Sequence, residues 1–138
     1  MAVSARLNLD SLKDVRVIDF SYNFNRDIDA SGRPSGMVRG GTVQITIEST
    51  KSAFLPSWMT TQSGKTKSGE IVIRDDEDDE KSLKTIKFDD SFIINYAENF
   101  SWQGGENMME TFTVSAHKIT VDGESGPAEF QNEWPSKK

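Results

Sequence analysis

The stretch that decides the fold runs from Phe20 to Ile47. It reads Phe20-Ser-Tyr-Asn-Phe-Asn-Arg-Asp-Ile-Asp29, then Ala30-Ser-Gly-Arg-Pro-Ser-Gly-Met-Val-Arg-Gly-Gly41, then Thr42-Val-Gln-Ile-Thr-Ile47. In its first part Phe20, Tyr22 and Phe24 alternate with Ser21, Asn23 and Asn25, the period of a strand with one buried face. Val43, Ile45 and Ile47 repeat that period at the other end. Between them, Arg26 to Gly41 holds four glycines, one proline and three arginines. A tight hairpin needs only about two to five connecting residues. This connector is far longer, and long loops in compact domains commonly carry function.

Outward from this pair the chain keeps the same alternation. Ala5, Leu7 and Leu9 predict a short first strand, and Ser11 to Asp14 a turn. Val15 to Asn25 predicts a second strand. Its apolar phase moves from Val15 and Val17 to Ile18, Phe20 and Tyr22, which predicts a bulge near Val17. A third strand is expected from about Met37 to Glu48. Gly40 and Gly41 within it predict a late start or a close backbone approach. Ser49-Thr50 offers an N-cap for the only helical segment, Ser52 to Thr61. There Phe54 or Leu55 with Trp58 and Met59 form one apolar face, Pro56 sits in the first turn, and the helix is expected to cover one end or side of the core.

Further strands are predicted at Gly69–Arg74, Leu83–Asp89 and Phe92–Asn99, the last two joined by a bend at Asp89 to Ser91. Another runs from Met108 to Val121, with a change of face between Ala116 and Ile119. The acidic run Asp75 to Glu80 reads as a hairpin tip, since it lacks the spacing and central glycine of a calcium-binding loop. Seven or so short strands with one short helix predict an all-β barrel or sandwich in a single domain, residues 1–138, with a polar tail from about 122 to 138. Phe20, Tyr22, Phe24, Trp58, Phe88, Phe92, Tyr96 and Phe112 are expected in the core. Trp102 and Trp134 lie in less regular segments and are expected at an interface, where aromatics are enriched.

Composition narrows the function. The chain has 138 residues, 35% of them hydrophobic, no cysteine, and a formal net charge of −6. The missing cysteines remove disulfides, thiolate catalysis and Cys-ligated zinc. The acidic balance argues against nucleic acid as the main partner. No apolar run reaches the roughly 18 residues of a membrane helix, and the first residues carry no secretory leader pattern. Asp27 and Asp29 lie two apart and could share a face, as a glycosidase pair does, but aspartates entering a polar loop are commoner as turn formers. His117 is the only histidine, with no triad partner placed by a motif. Gly40-Gly41 opens a strand and not a helix, which removes nucleotide-binding fingerprints. No cofactor or metal is called for, and the residues favour a binding or assembly protein over an enzyme.

Taken in order, Phe20-Ser-Tyr22, Asp29-Ala-Ser-Gly-Arg-Pro-Ser35, Arg39-Gly-Gly-Thr-Val-Gln-Ile-Thr-Ile-Glu-Ser49, Trp58-Met59, Phe88, Tyr96-Ala-Glu-Asn-Phe100, Glu110-Thr-Phe-Thr-Val-Ser-Ala116 and Asn132-Glu-Trp134 resemble the Hcp (TssD) family. These are tube proteins of the bacterial type VI secretion system, here in the form found in Bacteroidetes. The resemblance implies a small closed β-barrel flanked by one helix. It implies a homohexameric ring, with rings stacking into a tube that a contractile sheath propels. It also implies spike and baseplate components as partners, effector proteins in the lumen, and secretion through the apparatus from the cytoplasm. On that reading the long loop between the two early strands reaches a neighbouring subunit, and Arg26, Asp27, Asp29, Arg33, Pro34 and Arg39 are its expected contact residues. Three alternatives stand beside it: the tube of a phage-like or extracellular contractile particle, a monomeric β domain that binds a ligand such as carbohydrate, and a hydrolase using Asp27 and Asp29.

Overall fold

The computed structural model describes residues 3–61, 65–75, 78–101 and 108–132, with 78–82 as backbone only. Seven strands and one helix follow one another: β1 Val3–Leu9, β2 Leu12–Tyr22, β3 Thr42–Glu48, α1 Phe54–Thr60, β4 Lys67–Asp75, β5 Asp78–Phe100, β6 Met108–Asp122 and β7 Ala128–Gln131. The sheet order is β3-β2-β1-β4-β5-β6-β7, and a further pairing of β3 with β6 closes the first six strands into an antiparallel barrel. The expected all-β barrel with one short helix and a long early loop is therefore the observed fold.

The alternating residues fill the barrel. Leu7, Val43, Ile45, Ile47, Ile71, Ile86, Phe88, Phe112, Val114 and Ile119 are fully buried. Each such side chain contributes about 1.5–3 kcal/mol by leaving water. Leu55 and Trp58 of α1 join the same core. The Trp58 indole N–H donates to the Lys65 carbonyl at 3.0 Å, so its polar edge is satisfied where its ring is buried. Met59, expected on the apolar face, is 38% exposed. The helix is capped at Ala53 and not by Ser49-Thr50, and no side chain caps it.

Bulges re-phase the strands where the apolar pattern slips. The register of β2 against β3 shifts between Val17 and Asp19, at the predicted bulge. The first turn is shorter than expected. Leu9 faces Leu12 across it, and β2 absorbs Asp14 at φ 54, whose N–H donates to Asn8 Oδ1 at 2.8 Å. β5 is one long strand bent at Asp90, which has φ 50. Beyond the bend, the expected set Phe92, Ile94 and Tyr96 does not share a face. The ladder slips between Ile93 and Asn95, so Ile93 and Tyr96 pack on the core while Ile94 is 51% exposed. Phe92 is half-buried, and Phe24, beyond the end of β2, is 37% exposed. The acidic run opens the β4–β5 hairpin, where Asp75 faces Asp78; the rest of its side chains, with Trp102 and Trp134, lie outside the described residues.

One edge of β6 serves two strands. Its Met109–Ser115 stretch pairs with β3, and its Lys118–Val121 stretch with β7, a strand within the segment expected to be a polar tail. The gap between them is bridged. Ala116 N–H donates to the Gly41 carbonyl at 2.7 Å, Asn132 N–H to the His117 carbonyl at 2.8 Å, and the Asn132 amide to the Ala116 carbonyl at 2.7 Å. Gly41 has φ +103, and an added Cβ would strike the Asn132 amide nitrogen. Gly41→Ala is expected to destabilise the chain by about 2 kcal/mol, from left-handed strain plus a lost hydrogen bond. Urea titration measures this, and an unmoved midpoint contradicts it.

Candidate functional site

The long connector is an arm and not a coil. Asn25 and Arg39 exchange backbone hydrogen bonds at 2.9 and 2.7 Å, and Ser35 N–H donates to the Asp27 carbonyl at 2.8 Å. Ile28 faces Pro34 across an isolated bridge. Asp29 N–H donates to the Arg33 carbonyl at 2.8 Å, and Gly32 N–H to the Asp29 carbonyl at 3.0 Å, closing the tip. The Asp29 carboxylate accepts the Ser31 hydroxyl at 2.7 Å and the amides of Ser31 and Arg33 at 2.9 and 3.1 Å. The Ser31 hydroxyl, then the Arg33 and Ser31 amides, hold this carboxyl below the ordinary aspartate range. Asp27 pairs with Arg39 at 2.6 Å.

The two aspartates are thus committed to the arm. An acid catalyst needs a carboxyl whose pKa is raised by burial; Asp29 is exposed and shifted the other way. Every residue from Asn23 to Arg39 is exposed, Arg26, Arg33 and Pro34 among them. The arm also shows water three large apolar side chains: Ile28 at 66%, Met37 at 65% and Val38 at 37%. Gly40 lets the two legs of the arm's base close on each other, because an added Cβ there would lie 2.6 Å from the Phe24 ring.

Beneath the arm lies a four-stranded stretch, β2-β3-β6-β5, with two one-sided margins. β1 stops pairing with β2 at Arg6 and Arg16, so beyond that point, among the described residues, β2 ladders only with β3. The two strands splay into a cleft lined by Val3, Ala5, Val17, Ile18, Phe20 and Ile73. At the other margin β4 stops pairing with β5 at Ser91, and among the described residues the ladder of β5 from Phe92 to Phe100 runs only to β6. The face of this stretch turned away from the core is built mostly of hydroxyls and amides, with the Asp19 carboxylate on the rung of Thr46 and Thr111. Ser21, Gln44, Thr113 and Asn95 lie on one rung, with Thr42 and Ser115 on the next. A shallow hollow bounded by Ser21, Tyr22, Asn23, Thr42, Gln44 and Thr113 sits on it.

At the end of the barrel opposite the arm is a buried carboxylate that the sequence reading did not single out. Glu110 is 2% exposed. It accepts the Tyr96 hydroxyl at 2.8 Å, the Thr50 N–H at 2.9 Å and the Ser49 hydroxyl at 3.4 Å. Ser49 also donates to Glu98. The signal was present: Glu110 shares strand parity with Phe112, Val114 and Ala116, the inward face of β6. Among the described residues no group of three or more acidic or histidine side chains gathers in metal-binding geometry, and no helix is long and apolar enough to cross a membrane.

The family profile described as hemolysin coregulated protein Hcp (TssD) matches residues 1–135. The chain belongs to the Hcp (TssD) family. Hcp proteins are structural tube proteins of type VI secretion. Among solved structures, Hcp1 from Flavobacterium johnsoniae is 36% identical, with a TM-score of 0.82 over 96% of this chain and 100% of that one. That likeness agrees with the Bacteroidetes form expected from the sequence. Hcp1 from Salmonella typhimurium, at 18% identity and TM-score 0.73 over 94% of this chain and 93% of that one, shares the fold. So does a structure described as a type six secretion system protein, at 16% identity and TM-score 0.79, over 94% of this chain and 96% of that one. No curated protein matches by sequence.

In this Hcp chain the Glu110 cluster ties the β3–α1 connection to β5 and β6. Burial, followed by the hydrogen bond to Glu110 and the charges of Glu110 and Glu98, pushes the Tyr96 phenol well above its ordinary range. Folding therefore favours protonated Tyr96. Once pH passes the ordinary tyrosine value near 10, the unfolded chain loses this proton while the folded one keeps it, so stability falls as pH rises. Tyr96→Phe is expected to remove that alkaline slope and to cost about 1.5 kcal/mol at neutral pH through the lost charge-assisted hydrogen bond. Denaturant midpoints at neutral pH and above pH 10 test both effects, and an unchanged slope contradicts the assignment.

Proposed function

We propose that this chain is the subunit of a type VI secretion inner tube, a ring of six copies whose rings stack into a hollow tube. Membership of the Hcp family supports the reading, and the observation that carries it is the pair of one-sided margins. A heterologous contact generates a ring when its rotation closes. The β2 margin and the β5 margin lie on opposite sides of one sheet, so the first of one copy can meet the second of the next. Such pairing also removes the hazard of unpaired edges. The bulk of each subunit, with β1, β4 and α1, then lies outside, where the circumference is larger. The hydroxyl and amide face around Gln44 and Thr113 lines the bore.

The remaining partners follow from the same reading. A contractile sheath surrounds the outer surface, spike and baseplate components meet the ends of the tube, and effector proteins occupy the lumen. The subunit is made in the cytoplasm and leaves through the apparatus. The arm carries contacts between rings through Arg26, Arg33, Pro34 and its apolar side chains, while Asp27, Asp29 and Arg39 hold it in shape.

Ile94 stands exposed on the β5 margin, where a lysine guards an edge against pairing. Ile94→Lys is expected to weaken ring formation at least tenfold while shifting subunit stability by no more than about 0.5 kcal/mol, as exposed substitutions do. Light scattering and electron microscopy of both proteins, with a urea titration of each, check this. Rings from the variant at unaltered concentration would place the contact elsewhere. A wild-type chain that stays monomeric at all concentrations would overturn the tube reading.

A further inference from the structure

The ladder between β2 and β3 does not run unbroken into the arm. It pairs Tyr22 with Val43, and pairing resumes only at Asn25 with Arg39. Two residues on one leg, Asn23 and Phe24, stand against three on the other, Gly40, Gly41 and Thr42. Such an unequal break interrupts the hydrogen bonding that stiffens a two-stranded ribbon. Gly41, with φ +103, adds a residue free of side-chain restraint at the same point. Beyond the break the arm is held together by its own contacts: the Asn25–Arg39 hydrogen bonds, the Asp27–Arg39 pair and the closed tip. None of those contacts reaches back to the barrel, so the arm's direction is set at the break.

β7 lies beside that break and touches both legs. On the β2 leg the Phe130 ring meets the Phe24 ring, with centroids 5.2 Å apart. Phe24 is edge-on to Tyr22 at 5.7 Å, and Tyr22 stacks with Phe20 at 6.4 Å, so a row of four rings joins the wall of β2 to β7. On the β3 leg Asn132 packs against Gly41, and its side-chain amide and its N–H donate to the carbonyls of Ala116 and His117. The ladder to Lys118–Val121 and the Lys118–Glu129 ion pair at 3.7 Å anchor β7 to β6. β7 gives nothing to the core: Phe130 is half-buried, its other three residues are exposed, and none joins the buried cluster. A strand of this kind could serve merely to cover the stretch of β6 that barrel closure leaves unused. Covering that edge needs neither a ring against Phe24 nor Asn132 against Gly41, and both of those contacts fall on the break.

We propose that β7 is a clasp that sets the direction of the arm, with Phe130 and Asn132 as its positioning residues. Docked on β6, it pins both legs at the break, and the arm projects as a continuation of β2 and β3. Undocked, it leaves the β3–β6 ladder and the core in place, while the arm swings about Asn23–Phe24 and Gly40–Gly41. The arm is thereby governed by a strand distant in sequence. This holds whatever surface the arm meets, so the inference does not depend on the tube reading. Two sites linked in this way are coupled reciprocally. Whatever loosens β7 loosens the base of the arm, and whatever loosens the base of the arm loosens β7.

Site-resolved amide hydrogen exchange on the full chain tests this. It is read at the hydrogen-bonded amides of Asn25 and Arg39 in the arm's base, Gly32 in its tip and Asn132 next to β7. Exposed elements exchange through local openings, which a general loss of stability leaves alone. Phe130→Ala is expected to speed exchange at Asn25 and Arg39 by about tenfold, the scale of one aromatic pair, with Gly32 changed by less than about twofold. Phe24→Ala is expected to speed exchange at Asn132 by a similar factor. Phe130→Tyr keeps the ring and is expected to leave all four amides at their original rates. If Asn25 and Arg39 keep their original rates in Phe130→Ala, β7 only covers an edge and the inference is overturned, whether or not Asn132 moves. Equal acceleration at Gly32 would overturn it as well, since that marks a loosening of the whole arm and not of its base. So would a tyrosine variant as fast as the alanine one, since the ring contact would then carry nothing. Should Phe130→Ala fail to fold, Phe24→Ala decides alone, and an unmoved Asn132 rate overturns the inference.

Discussion

Closure of the sheet by the ladder between β3 and β6 is the constraint on which the rest depends. Seven residues of β3 face seven of β6, from Thr42 against Ser115 to Glu48 against Met109. Without that ladder the chain would form an open sheet whose apolar face has nothing opposite it. With it, Val43, Ile45 and Ile47 meet Phe112, Val114 and the inward residues of β1, β4 and β5 in one core. The ladder also fixes where the chain must leave the barrel. A tight turn would suffice to join β2 to β3 at that end, and the arm is what the chain adds beyond it.

Closure does not use the strands over their whole length. β2 and β5 both outrun their neighbours β1 and β4, and among the described residues each continues with a ladder on one side alone. A barrel made of equal strands would have no margins and no obvious way to join a second copy by its backbone. The mismatch in strand length is what allows a closed, independently folded subunit to keep the edges of an open sheet. The bulges at Asp14 and Ile94 belong to the same economy of shape, since each re-aims a strand where its apolar phase would otherwise put a polar residue inside.

Much of this was readable from residue order. Period-two alternation located six strands, the slip of phase at Val17 marked a real bulge, and Gly40-Gly41 marked both a late start and a close approach. The helix was visible in Leu55 and Trp58, but not its cap, because Ser52 and Thr50 spend their hydroxyls on the connecting turn. β7 was missed because only Phe130 among its four residues is large and apolar; its stability comes from pairing with β6 and from the contact of Phe130 with Phe24, with ring centroids 5.2 Å apart. Ile94 was assigned inward because alternation carries no record of a residue inserted without a partner. Glu110 escaped notice for the opposite reason. Its parity was right, and only the donors brought to it by Tyr96, Ser49 and Thr50, from 14 to 61 residues away, explain why a carboxylate is tolerated there. The arm was legible as long and cationic, but its internal pairing was not, since that depends on which aspartate meets which amide.

The hydroxyl and amide face of β2, β3, β6 and β5 has a consequence for ionic strength. Physiological salt screens exposed charges over about 8 Å. Rungs such as Ser21, Gln44 and Thr113 carry no net charge to screen, so whatever touches that face trades hydrogen bonds with water for hydrogen bonds with the protein. Added salt leaves that exchange nearly unaltered. The arm, whose outward charge is set by Arg26 and Arg33, responds to the same salt directly. One molecule therefore presents two surfaces to its surroundings, one whose contacts weaken as ions are added and one that takes little notice of them.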